Sequence, residues 1–129
     1  MVLIDTNIIL RCVLNDHAEL SLKAKEIVLT NEVLVLTRVI AECIYVMEKI
    51  YKSTKQEIAD ILLAFFSLKN VTLEHGEIAV TAVAEYGKLS LDFVDVLLLS
   101  YQKHTKKLVA TFDKKLFTKL EQLNGNVRI

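Results

Sequence analysis

The chain has 129 residues, of which 53% are hydrophobic, and its 16 basic residues balance its 16 acidic ones. That length suits a single domain burying roughly two thirds of the surface its unfolded form exposes. The neutral balance excludes a global field that would draw in a polyanion, so any nucleic-acid contact has to come from a local patch.

There is no proline, glycine occurs only at Gly76, Gly87 and Gly125, and no repeat or low-complexity tract interrupts the chain, so one domain is expected over 1–129. The apolar start has no basic region before it and is interrupted by Asp5 and Arg11, which reads as mature structure rather than a secretory signal. No uninterrupted apolar run approaches the roughly 18 residues of a membrane span. A soluble, cytoplasmic protein with no membrane partner is expected, and a mean hydropathy of +0.38 suggests a partner subunit over part of the surface.

The elements follow in order. MVLI (1–4) reads as a strand, then helices over 7–14 and 18–29, a strand VLVL (33–36), and helices over 38–51 and 54–68. The last of these opens with STKQE, where Ser53 with Gln56, or Thr54 with Glu57, suits a capping box. A strand NVTLE (70–74) leads to helices over 77–87 and 92–104, a strand KLVAT (107–111), a helix over 114–122 and a last strand NVRI (126–129). The expected fold is α/β in three layers, with a mostly parallel sheet of about five strands and helices on both faces. In such sheets ligands bind outside the carboxyl ends of the strands. Cys12 and Cys43 lie in apolar helical patterns without metal-ligand spacing, which suits small buried hydrophobes in a reducing compartment.

Several acids sit where this frame builds sites. Asp5 follows the first strand, Asp113 follows KLVAT with Phe112 between it and Thr111, and Glu42 stands among Val39, Ile40, Cys43 and Val46. Asp92 and Asp95 open the apolar helix LDFVDVLLLS and share a face. Carboxylates gathered at one end of a sheet repel unless a cation compensates. An oxygen-only set suits Mg²⁺ or Mn²⁺, ions that lower the pKa of water and stabilise charge on a phosphoryl group.

LIDTNIIL, IAE at 40–42, DFVDVLLLS and LVATFDKKLF together resemble a PIN-domain ribonuclease, in particular the small toxin of a VapBC-type toxin–antitoxin pair. The resemblance covers nearly the full chain. It implies an acidic quartet at Asp5, Glu42, Asp95 and Asp113 that is both catalytic and metal-binding, with Asn7 and Thr111 as supporting polar groups; Asp92 is an added acid outside the quartet, expected to stand behind it. It further implies an RNA substrate, a VapB-like antitoxin partner and a homodimer, for which the apolar run ILLAFFSL (61–68) offers a cover.

Plainer roles stand beside these. Asp5, Asp92 and Asp113 each suit a helix cap, and Glu42 suits an ion pair with Arg38 or Lys49. Lys107, Lys114 and Lys115 suit either a solvated face or a rim that contacts RNA phosphates. A haloacid-dehalogenase phosphatase needs a second acid two residues after the first, where this chain has Asn7, and a receiver domain needs an acid adjacent to Asp5. The competing class is a non-catalytic PIN-like module that binds RNA or protein.

Overall fold

Hydrogen-bonding side chains placed where helices begin organise much of the fold. The computed structural model describes residues 1–123, Gly125 and Val127. Strand β1 (Val2–Leu3) leads into α1 (Thr6–Leu14), and Asn15, at φ 51°, ends that helix in the left-handed region. Helix α2 (Ala18–Thr30) is capped by His17, whose Nδ1 accepts from the Leu20 N–H at 3.2 Å. Then come β2 (Val33–Val35), α3 (Thr37–Lys49) and α4 (Lys55–Phe66). Of the two capping boxes that STKQE allows, α4 uses Thr54 with Glu57. Strand β3 (Val71–Leu73), α5 (Gly76–Tyr86), α6 (Phe93–Thr105) and α7 (Lys114–Leu123) complete the order.

The sheet is parallel and ordered β1-β2-β3. Val2 and Leu3 stand beside Val33 and Leu34, and Val33 and Val35 beside Val71 and Leu73. The central strand has Val33 and Val35, which share one face, fully buried, and Leu34 on the other face half-buried. Around it pack Ile9, Ile40, Met47, Ile58, Leu62 and Tyr86. Helix α7 docks through Leu116 and Leu120, four apart on one face.

All seven expected helices form, but among the described residues the sheet has three strands rather than about five. The run 107–111 is not a strand, because side chains take its backbone donors. The Lys107 N–H donates to Thr105 Oγ1 at 3.2 Å and the Val109 N–H to Gln102 Oε1 at 2.9 Å. Local bonds of this kind compete directly with a ladder. Leu3 of β1 is left exposed, as is Leu108 in the unpaired run. The expected strand at 126–129 falls on positions of which 126, 128 and 129 lie outside the described residues. Of the run 61–68, Leu62, Phe65 and Phe66 are buried, Ile61 and Leu63 are half-buried, and Ala64 and Leu68 are exposed.

Tyr86 ties α3, α4 and α5 together. Its hydroxyl donates to Glu48, and the Lys55 ammonium stands 4.5 Å from the ring centroid while donating to the Leu89 and Leu91 carbonyls. Burial first, then the Glu48 carboxylate, push the Tyr86 pKa up, so the phenol remains a donor. The same turn explains Gly87, where an added Cβ would stand 2.8 Å from the Ala59 Cβ. Gly87→Ala is therefore expected to cost about 1–3 kcal/mol through overpacking of α4 on α5, less a small gain in helix propensity. Thermal unfolding should show a Tm lower by several degrees, and an unchanged or higher Tm would mean that the two helices separate freely.

Candidate active site

The first corner of the site is built by α1 and α3. Asp5 follows β1 and caps α1, its Oδ1 accepting from the Ile8 N–H at 3.1 Å. The next residue, Thr6, is 8% exposed and its hydroxyl donates across to Glu42 Oε2 on α3. Glu42 makes no ion pair with Arg38 or Lys49 among the described residues. Beside it Cys43 is fully buried, and its thiol is pushed up to about 12, by burial first and then by the Glu42 and Asp5 carboxylates, against a small opposing effect of the Thr6 hydroxyl. Half-buried Cys12 is raised too, again mainly by burial. Both thiols stay protonated near neutral pH, in keeping with a packing role.

The second corner lies where α6 and α7 begin. Asp92 occupies the N-cap position of α6, yet its carboxylate accepts no capping hydrogen bond. Asp95, in the first turn, is half-buried. Its carboxyl pKa is raised, by burial first, then by the Asp113 charge and then by that of Asp92. Asp113 caps α7 through Oδ1, which accepts from the Leu116 N–H at 2.9 Å, and the Asp113 N–H donates to Thr111 Oγ1 at 3.0 Å. The positive ends of α6 and α7 offset part of the mutual repulsion.

Of the four expected acids, Asp95 feels the Asp113 charge, and Thr6, the neighbour of Asp5, reaches Glu42. Among the described residues no group of three or more acidic, histidine or cysteine side chains comes close enough to hold an ion. With no strand over 107–111, Asp113 takes its place from Thr111 and from the start of α7 rather than from a sheet register. Capping does not exclude ion binding for Asp5 or Asp113, since each cap occupies Oδ1 alone.

The polar positions divide as well. Thr111 fixes the backbone at Asp113 rather than its carboxylate, and Asn7 is exposed. The residue that grips a carboxylate is Thr6, for which the sequence held a signal. Three and four positions before the buried Ile9 and Leu10, it falls on the inward face of α1. Of the basic candidates, Lys107, Lys114 and Lys115 are all exposed. Lys115 also donates to the Ser90 carbonyl at 3.3 Å, which ties the start of α7 to the turn before α6.

A family model for the PIN domain matches residues 2–123, and the chain belongs to that family, which is generally a nuclease fold. No curated protein and no solved structure matches the chain. Among the described residues no helix is long and apolar enough to cross a membrane.

Proposed function

We propose that the chain acts as one PIN domain over 1–129 and is a Mg²⁺- or Mn²⁺-dependent endoribonuclease. The observation that carries this is Asp95. A half-buried carboxyl pressed by two further acids, with no ion pair among the described residues, costs folding free energy unless a cation is its purpose. The donor chemistry fits a hard divalent ion, since every acid offers oxygen and no thiolate or imidazole joins them. Asp95 and Asp113 are the pair that would hold the ion, and the resemblance to PIN ribonucleases adds Asp5 and Glu42 to the set. When bound, the ion would lower the pKa of a water and stabilise charge on the phosphoryl group.

The protein's own groups do the rest. Thr6 holds the Glu42 carboxylate in one orientation, Thr111 holds the backbone that carries Asp113, and Asn7 is exposed two residues after Asp5. Lys107, Lys114 and Lys115 would contact the RNA backbone on either side of Asp113. Resemblance to VapBC-type toxins supports a cytoplasmic toxin held in check by a VapB-like antitoxin, and a homodimer. The free thiols of Cys12 and Cys43 agree with a reducing compartment.

The test is cleavage of a panel of structured and single-stranded RNAs with Mg²⁺, with Mn²⁺ and with EDTA. Cleavage that needs metal and is lost in Asp5→Asn carries the proposal. Metal-independent RNA binding without cleavage would favour the non-catalytic module, with the acids serving as caps. For the basic rim, Lys107→Ala and Lys114→Ala should each weaken RNA binding similarly across sequences and lower the salt slope of binding by about one. An unchanged slope would return both lysines to the solvated face.

A further inference from the structure

Immediately before Asp113 stands Phe112, 89% exposed. Burying a phenylalanine ring is among the larger gains open to a folding chain, yet this one is excluded from the core while nearby Val109 packs against that core. The ring is not isolated. With Phe117, Thr111, Lys114 and Thr118 it lines a cavity of about 400 Å³ at the start of α7. Two aromatic rings, two threonines and an ammonium group thus share one concavity, one residue from a candidate catalytic carboxylate.

We propose that this cavity is a nucleobase subsite, in which a base of single-stranded RNA next to the scissile phosphate stacks on Phe112. The inference rests on the ribonuclease reading and deepens it. A stacking platform beside a cationic groove is the recurring way to hold a single strand without reading its sequence. Lys114 lies in the cavity wall, so a phosphate beside the stacked base meets positive charge. The Thr111 hydroxyl accepts from the Asp113 N–H at 3.0 Å, which couples the cavity wall to the carboxylate through one peptide. A base seated there would fix the distance from its own phosphate to Asp113. A duplex, whose bases are already stacked, could not present one. The subsite therefore selects single-stranded substrate.

The experiment compares wild type, Phe112→Ala and Phe112→Trp. Steady-state cleavage of a single-stranded oligoribonucleotide is measured alongside fluorescence anisotropy of the same RNA bound to Asp95→Asn protein, with and without Phe112→Ala. The expected result is a rise of roughly 5- to 150-fold in KM and Kd for Phe112→Ala. The loss should fall on KM rather than kcat, and Phe112→Trp should restore binding. An abasic nucleotide at one position beside the cleavage point should reproduce the loss in wild type and add nothing to Phe112→Ala.

Wild-type Kd and KM in Phe112→Ala, or losses that add to those of the abasic RNA, would overturn the subsite and leave the ring to a protein partner. Failure of the wild type itself to bind or cut RNA would overturn the ribonuclease reading and the subsite with it. Because Phe112 lies outside the core, its variants should unfold at the wild-type Tm, which separates lost binding from lost folding.

Discussion

Asparagine in place of Asp95 is expected to lower kcat/KM for RNA cleavage at least about 100-fold and, in the same protein freed of metal, to raise the Tm at neutral pH. The first effect follows from removing one charge of the pair that would hold the ion. Electrostatic stabilisation by such an ion amounts to several kcal/mol, and each 1.36 kcal/mol is about tenfold in rate. The second has the opposite sign because burial first, then the Asp113 charge and then that of Asp92, raise the Asp95 carboxyl pKa in the folded protein. The folded state then holds the proton more tightly than the unfolded chain does. Stability of the wild type accordingly falls as pH rises from the ordinary aspartate range near 3.9 through the raised folded value. An uncharged amide at this position would carry no such penalty. The gain from Asp95→Asn should vanish at low pH, where both forms are neutral, and be complete at pH 7. It is small, since a partly exposed group is screened by solvent. Calorimetric or circular-dichroism melts at pH 3 and pH 7, with chelator present, read it directly. A lower Tm in the variant at pH 7 would show that Asp95 supports the fold, and full cleavage activity would remove it from the site.

The second large effect is expected at Gln102, where a leucine should cost about 2–4 kcal/mol and lower the Tm by roughly 10 °C. Gln102 is completely buried in α6. Its Oε1 accepts from the Val109 N–H at 2.9 Å, and its Nε2 donates to the Leu120 carbonyl at 3.4 Å and to the Gly125 carbonyl. One amide thus joins α6, the run after it and the end of α7. Leucine matches the volume but leaves the Val109 N–H and two carbonyls without this partner, each about 1–3 kcal/mol where water cannot reach. Because the run it holds ends at Asp113, cleavage should fall further than the stability loss alone explains. Hydrogen exchange should show the loss of Val109 amide protection. A variant with wild-type Tm and wild-type protection at Val109 would mean that the run is held by Leu116 and Leu120 packing and that Gln102 is incidental.

Much of the fold was legible from local chemistry. All seven helices follow from apolar spacing at three and four residues, and Thr54 with Glu57 marks the start of α4 as the pattern suggests. The strands β1, β2 and β3 each coincide with a short β-branched run. The run 107–111 has the same composition but a different outcome, since Thr105 and Gln102 intercept its donors. Gln102 lies five residues upstream of that run, in α6, so composition within the run carries no sign of it. The candidate site divides in the same way. Asp5, Glu42, Asp95 and Asp113 could be named from their positions after strands and among apolar neighbours. The approach of Asp113 to Asp95 could not, because the distance between side chains on different elements has no local signature.

What the sequence determined by itself is what depends on neighbours within a turn or two of chain: helix periods, caps, apolar strand runs, and the presence of ionisable residues in apolar company. What only the tertiary structure decided depends on contacts between elements. Thr6 reaches Glu42 from another helix, Asp95 is pressed by an acid from the start of α7, and Phe112 stays in solvent beside a cavity that α7 helps to build. The physical reason is range. Backbone propensity and capping act over about four residues, whereas burial and charge act through space and are set only once the chain has closed on itself.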